Sequence, residues 1–460
     1  MTLPLGIPDF VERAERSVAS AASAIRLRET RTKRVMRLFS VRETAMFLGF
    51  SKKVIHEWLE HPQAPTPTKN RSGTVFLSLD DIALLRALMQ NRKQSRRDTL
   101  FWRKPGESLP IITIGSQKGG TAKSLTVAHL AQIATIYWGM RVGIVDSDAQ
   151  GTLSLYFADE NITAGGLDVG TFTRFMGVGE PGQPPLIHDP ETLDSFWLRT
   201  PWPGIRLMPG GAPIQEAEIA MYLLSQGQDP KYRRVYRLLH DAFQRWSDAH
   251  PVITQTQDLI DHDGKFQPEK FRQALTETLD LIIIDTAPSL TLAQLNTVVA
   301  ASTLIVPNTM RGFDLSTTRI YLSSLGDYLR YIQIEDPIDF QKKPSYILPT
   351  IVSTSSDADI LQVGELFSHD PDVVCPVFYA RSEAVANAAR EYQSIFEYAP
   401  PPGRRKSTNL FIDNANAVSE AILTRAIPGL PPRGFANNFI ARTFPPDTVP
   451  PWTNPAETVS

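Results

Sequence analysis

Five stretches constrain the fold of this chain more than any other feature. RVGIVDSDAQ (141–150), LDLIIIDTAPS (279–289), STLIVPNTM (302–310), YILPTIV (346–352) and DVVCPVFY (372–379) hold apolar residues at consecutive positions instead of alternate ones. A strand with one solvated face alternates apolar and polar residues, whereas a strand covered on both faces does not. With helical stretches between them, the runs predict a doubly wound α/β fold on a mostly parallel sheet. Residues 110–114 read as a further short buried strand, and ligands of such folds sit beyond the strand carboxyl ends. Segment 159–200, rich in Gly and Pro, reads as an insertion, as does 254–267.

Strand 110–114 leads into GSQKGGTAKS (115–124), and an apolar-rich helix follows over 125–137. Strand, glycine turn and helix form the context in which consecutive backbone N–H groups wrap around phosphates at a helix N-terminus. Gln117, Lys118, Gly119, Gly120, Thr121, Ala122, Lys123, Ser124 and Leu125 are the candidate nucleotide-binding residues. Lys123 would neutralise the β- and γ-phosphates, and Ser124 would place its hydroxyl on Mg²⁺. The loop departs from the usual pattern where Gln117 and Ala122 replace glycines; a methyl at 122 fits without strain if φ is negative.

Phosphoryl transfer needs charge compensation, a metal and an aligned water. Asp285 ends the run LIIID, where a magnesium-associated carboxylate belongs. Asp146 and Asp148 follow RVGIV with one residue between them, so extended backbone directs both to one side. One can hold a metal-bound water while the other orients the attacking water.

Composition divides the chain electrostatically. The net charge of −2 combines +8 over residues 1–100 with −10 over the remainder, and a basic segment on an acidic protein suggests a polyanion partner. Residues 8–35 read as a long, thinly apolar helix that pairs with a second copy or lies on the next domain. Over 38–92, Ser40 with Glu43 forms a capping box, Ser51 caps a second helix after a short turn, a basic turn and strand follow, and Ser78 with Asp81 opens another helix. Cys375, the only cysteine, excludes an internal disulfide and a cysteine-ligated cluster. No run approaches the ~18 apolar residues of a membrane helix, and the N-terminus lacks a signal peptide's apolar centre, so the expected location is cytoplasmic. After Ile427 the prolines predict a poorly ordered tail without helix.

These motifs carry two resemblances. Residues 38–92 resemble the winged helix-turn-helix of MerR-type regulators. KGGTAKS, DSDAQGTLS, LIIIDTAPSL and STLIVPNT resemble, in order and spacing, the deviant Walker A loop, switch I, Walker B and following strand of ParA/MinD-type ATPases, most like the large partition ParA (RepA-type) proteins. The first implies that Ser51, Lys52, Lys53 and His56 face a DNA major groove while Lys69, Asn70 and Arg71 reach backbone or minor groove. The second implies that Lys118 is a signature lysine completing the partner's nucleotide site in an ATP-dependent homodimer. Asp148 then positions the water, with Asp146 and Asp285 near the magnesium, although the two switch-I carboxylates could be exchanged. It also implies a late helix over 379–398 in which Arg381 and Arg390 contact DNA without sequence preference.

The expected organisation is an N-terminal helix (1–36), a DNA-binding domain (37–100), an ATPase domain (101–426) and a tail (427–460). The expected function is an ATP- and Mg²⁺-dependent DNA segregation ATPase, nucleoid-associated, stimulated by a ParB-like centromere-binding partner and repressing its own operon. The alternatives are a site-specific repressor with a nucleotide-sensing domain and negligible turnover, and a positioning ATPase for another cargo. The tail lacks a basic amphipathic helix, so no membrane partner is expected.

Overall fold

The computed structural model describes residues 11–18, 20, 36–90, 98–157, 171–181, 183–227, 233–253, 259–336, 344–390 and 393–443. Two units are present, residues 1–36 and 37–460. In the first, residues 11–18 are helical; the rest of the expected helix over 8–35 lies largely outside the described residues.

The second unit begins with β1 (Phe39–Ser40), α1 (Val41–Leu48), α2 (Lys52–Leu59), β2 (Thr68–Lys69), β3 (Val75–Leu77) and α3 (Leu79–Gln90). Ser40 and Glu43 close the expected capping box, and the Ser51 hydroxyl accepts from Val54 N to start α2. The strands pair antiparallel in the order β1-β3-β2. The turn between β2 and β3 is built by Asn70, whose side-chain oxygen accepts from Ser72 N and Thr74 N. The side-chain oxygen of Asn70 is thus occupied within the turn.

There follow β4 (Ile111–Ile114), α4 (Lys123–Trp138), β5 (Val142–Ser147), α5 (Thr152–Phe157), α6 (Thr171–Phe175), α7 (Pro190–Ser195), β6 (Leu198–Arg199), β7 (Ile205–Met208) and α8 (Pro213–Ser225). Then come α9 (Leu238–Ala249), α10 (Pro268–Glu277), β8 (Leu281–Thr286), α11 (Leu292–Ala300), β9 (Thr303–Thr309), α12 (Gly312–Glu335) and β10 (Tyr346–Thr350). Finally α13 (Asp357–His369), α14 (Glu383–Arg390), α15 (Arg405–Ala426) and α16 (Phe435–Thr443) complete the described chain. The sheet order is β10-β9-β4-β8-β5-β7-β6, with every pair parallel except β6 with β7. Strands β4, β5 and β8 are buried throughout, as consecutive apolar residues require.

Three sequence expectations fail for identifiable reasons. Residues 372–379 form no strand: Pro371 and Pro376 lack N–H donors, and the segment meets β10 through an isolated bridge of Val374 with Ile347 and a hydrogen bond from Tyr379 N to Pro349 O. The supposed insertion over 159–200 is core where it is described, since Phe172, Phe175, Leu193 and Trp197 pack into the main cluster with Phe243 and Trp246. Among its described residues, Gly177 takes φ 79° in the turn that follows α6. The tail is helical over Phe435–Thr443 because the prolines at 428, 431 and 432 precede this stretch and those at 445 and 446 follow it. Phe435 packs edge-on against Tyr137 and Phe439 against Phe378. Residues 444–460 lie outside the described residues.

The N-terminal module is seated on the far end of α4. Arg86 of α3, 2% exposed, donates from Nη1 to the carbonyls of Thr99 (2.9 Å) and Tyr137 (3.1 Å) and from Nη2 to that of Ile136. The last carbonyls of a helix lack partners within it, and a cation there complements the helix dipole. Gly139 makes the approach possible: a Cβ there would lie 2.5 Å from Arg86 Cδ. Phe47 of α1 stacks edge-on against Tyr137, and Trp58 and Ala64 pack on the cluster of Phe266, Phe271 and Trp102.

Candidate functional site

The glycine loop leaves β4 between its neighbours β8 and β9 and ends at the first turn of α4. Ser116 and Thr121 hydroxyls bridge the loop at 2.9 Å, and Lys123 Nζ donates to Lys118 O at 2.9 Å. Gly119 and Gly120 have open space where a side chain would project. Ala122 takes φ 70°, ψ 29°. The condition of negative φ is therefore not met: the alanine holds the left-handed conformation of the glycine it replaces, at a cost of ~1–2 kcal/mol. No side chain caps α4, so its first N–H groups are open to a ligand.

Asp146 and Asp285 are register partners on β5 and β8, and both are completely buried. Asp146 is held from behind: Oδ2 accepts from Ser154 N (2.8 Å) and Ser154 Oγ (2.7 Å), and Oδ1 from Asp148 N (3.1 Å). Neither oxygen of Asp285 has a hydrogen-bond partner; the Ser124 hydroxyl lies near enough to favour ionisation without meeting hydrogen-bond geometry. Burial, then the neighbouring Asp146, pushes Asp285 well above the usual carboxylate range. Burial lifts Asp146 to about 6, against the Ser154 contacts that lower it. Burial lowers Lys123, against the charges of Asp285 and Asp148. Asp148, half-buried just after β5, accepts from Gln150 N at 2.9 Å.

These side chains meet the test for a magnesium site. A fully buried carboxylate with two orphaned oxygens beside a second carboxylate and a loop serine is a donor set that suits a hard cation. Among the described residues no group of three or more His, Cys, Asp or Glu forms a complete protein cage. Mg²⁺ is bound through one or two carboxylates together with substrate phosphates and water.

A cavity of about 560 Å³ opens beside the loop, lined among others by Lys118, Gly120, Arg311, Asp314, Ile351 and Arg381. Lys118 is ion-paired with Asp314, a buried carboxylate that also accepts from the Thr309 hydroxyl. Ile351 adopts φ 56°, an outlier for a β-branched residue, of the kind that collects at functional sites. Arg381 lines this cavity; the side chain of Arg390 lies outside the described residues. Lys52, Lys53, His56, Lys69 and Arg71 are exposed on α2 and the hairpin, while Ser51 is occupied as the α2 cap.

The sequence reading missed Ser154, Asp314 and Gly210. Ser154 stood inside DSDAQGTLS, eight residues after the carboxylate it holds. Asp314 and Gly210 had no local signal, since their roles arise from strand-to-loop contacts. A Cβ on Gly210 would lie 2.5 Å from Asp148 O and 2.8 Å from Asp146 O, so only glycine lets that loop press on the carboxylate segment.

Residues 112–369, more than half the chain, match the family model described as the CobQ/CobB/MinD/ParA nucleotide binding domain. The chain belongs to this family. The matched stretch contains every strand of the large sheet except the first residue of β4, together with the loop and the paired carboxylates. The chain is also similar to a putative replication protein A of Rhizobium rhizogenes, 23% identical over 91% of this chain and 95% of the relative. Protein SopA of Escherichia coli K12 is 23% identical over 66% of each chain. Among solved structures, a partition protein is 15% identical over 84% of this chain and 96% of its own, with TM-score 0.49. A cobyrinic acid a,c-diamide synthase of Mycobacterium smegmatis, solved with an ATP analogue and magnesium, is 20% identical over 70% and 97%, with TM-score 0.45.

Proposed function

We propose that this protein is a DNA partition ATPase that uses ATP and Mg²⁺. The observation that carries the reading is the convergence of Lys123, Ser124 and the orphaned carboxylate of Asp285 at the mouth of the glycine loop. Bound Mg²⁺ would supply charge compensation on the phosphates, held by Ser124 and Asp285 with Asp146 alongside. The open N–H groups of α4 and Lys123 receive the phosphates; Asp148, close to Lys123, orients the attacking water. The neighbouring cavity takes the nucleoside. Lys118, once released from Asp314, completes the nucleotide site of a second copy, so ATP closes a homodimer.

DNA enters the proposal through the N-terminal module. Exposed Lys52, Lys53 and His56 on α2 and Lys69 and Arg71 on the hairpin fit a groove and its flanking phosphates. The names of the relatives, replication protein A and SopA, add to the reading of a replicon partition role, with a centromere-binding partner that accelerates hydrolysis and with repression of the protein's own operon. The placement of Arg381 on the cavity wall makes it a nucleotide-side residue as much as a DNA contact.

The test is ATP turnover with and without nonspecific DNA for the natural protein, Lys123→Ala and Lys118→Ala, with mass followed by light scattering. Slow turnover lost in both variants and an ATP-dependent dimer lost in Lys118→Ala are expected. Tight operator binding with no turnover under any condition would instead leave a nucleotide-sensing repressor.

A further inference from the structure

Beneath the first residue of the glycine loop lies a set of buried polar contacts to which the site described above assigns no role. Thr286, the residue after Asp285, donates from Oγ1 to the Ile114 carbonyl at 3.0 Å, which ties the end of β8 to the last residue of β4. Gln294 of α11 donates from Nε2 to Tyr321 Oη of α12 at 3.3 Å and reaches the Thr286 hydroxyl at 3.5 Å. All three side chains are buried, Tyr321 completely. A Cβ on Gly115 would lie 3.2 Å from Tyr321 Oη, 3.4 Å from Gln294 Nε2 and 3.5 Å from Thr286 Oγ1. Three elements thus bring polar atoms to one backbone position, where the loop begins. There Gly115 N donates to Ile305 O of β9 at 3.0 Å.

One face of α12 meets the loop twice. Asp314, Thr318 and Tyr321 follow steps of four and three residues, which keeps them on one side of the helix. Asp314 pairs with Lys118, Thr318 donates to Asn308 Oδ1 of β9, and Tyr321 meets Gly115. Further along this face, Leu325 and Ile332 join an apolar cluster with Val298 and Val306. The polar half of the face therefore coincides with the part that lies against the loop. Such a filling costs stability, because Gln294 Oε1 has no hydrogen-bond partner among the described residues and a partly satisfied buried network is worse than an apolar core.

We infer that Tyr321 and Gln294 are positioning residues that hold the start of the glycine loop at a fixed offset from Asp285. They thereby set the placement of Ser124 relative to Asp285, the two groups proposed to hold Mg²⁺, and to that extent the inference rests on the ATP and Mg²⁺ reading given above. Each acts through Gly115 and Thr286, the residues that begin the loop and follow the carboxylate. Groups that orient metal ligands without touching the metal affect its binding strongly when they are removed.

The test titrates the full-length protein with a fluorescent ATP analogue in EDTA and again in Mg²⁺. Tyr321→Phe keeps the ring in its cluster and removes only the hydroxyl. It should leave affinity in EDTA within about twofold of the natural protein and cut the gain in affinity on adding Mg²⁺ about tenfold. Tyr321→Phe combined with Gln294→Leu replaces the network by apolar groups of similar shape. This double variant should melt no lower than the natural protein and still show the reduced Mg²⁺ gain. A full Mg²⁺ gain in either variant overturns the inference. So does a loss of affinity that is equal in EDTA and in Mg²⁺, since a merely structural contact weakens both alike. A natural protein that binds no ATP, or gains nothing from Mg²⁺, brings down the ATP and Mg²⁺ reading and this inference with it, a result distinct from a variant that behaves like a binding natural protein.

Discussion

Asp146 and Asp285 stand opposite one another on adjacent parallel strands, both fully buried, and only Asp146 has hydrogen-bond partners. Two carboxylates so placed cannot both ionise cheaply without a cation between or beside them. The Lys123 ammonium favours ionisation of Asp285, but burial and the neighbouring Asp146 outweigh it.

This arrangement fixes the sign of a pH effect. Asp146 at about 6 lies above its ordinary 3.8, and Asp285 is raised as well, so the folded state binds these protons more tightly than the unfolded chain. Their contribution favours folding below about pH 4 and is lost as pH rises through about 6, with a penalty on the order of 3 kcal/mol for Asp146 alone. Asp285→Asn should raise the melting temperature of nucleotide-free protein at pH 8 by a few degrees, with the gain shrinking at pH 5, while turnover disappears. Differential scanning calorimetry at both pH values checks this, and a destabilised variant at pH 8 would contradict it.

Lys118 and Asp314 form an ion pair, which the proposed role of the lysine in a second subunit requires to open. Lys118→Ala leaves a buried carboxylate with the Thr309 hydroxyl alone, a loss of roughly 1–3 kcal/mol. Asp314→Asn should cost less, and the double variant should fall short of the sum of the two by about 1 kcal/mol or more. Urea denaturation of the four proteins gives the coupling directly; strict additivity would mean that the pair contributes nothing.

At position 122 the backbone asks for glycine and holds alanine. Ala122→Gly relieves the left-handed strain but adds freedom to the unfolded chain, so the two effects nearly offset and stability should move by under about 1 kcal/mol. Nucleotide binding should persist. Ala122→Val should weaken it at least tenfold, because β-branching deepens the strain at the point where the loop meets phosphate. Titration with a fluorescent ATP analogue distinguishes the two substitutions.

On the N-terminal module, Lys53→Ala and Lys69→Ala should each lower operator affinity about equally for all sequences and reduce the slope of log affinity against log salt by about 1. Asn70→Ala should act differently, lowering stability through the β2–β3 turn that its side chain holds. Fluorescence anisotropy over a salt series separates a phosphate contact from a turn defect.

The sequence made the parallel sheet legible because burial on both faces leaves uninterrupted apolar runs, and β5, β8 and β9 appeared where LIIID and its counterparts stood. Capping residues also reported faithfully: Ser40, Ser51 and Asp81 act within three residues of themselves, so local sequence contains the whole interaction. The failures share a different cause. The contacts of Asp314 with Lys118 and of Gly210 with Asp146 join positions far apart in the chain, and no local pattern encodes them. At 372–379 apolarity alone suggested a strand, whereas two prolines decided the hydrogen bonding.

The Arg86–Gly139 contact bears on how such chains can be recombined. Among the described residues no carboxylate neutralises Arg86; burial and the nearby Arg433 both act against its charge, so its place depends on carbonyl groups at the end of α4. A foreign head module joined at residue 100 would lack the guanidinium that α4 expects, and a foreign catalytic body without glycine at 139 would have no room for it. The interchangeable piece is thus a head together with its matching socket, and chimaeras cut between them should be recovered only when both sides of that lock travel together.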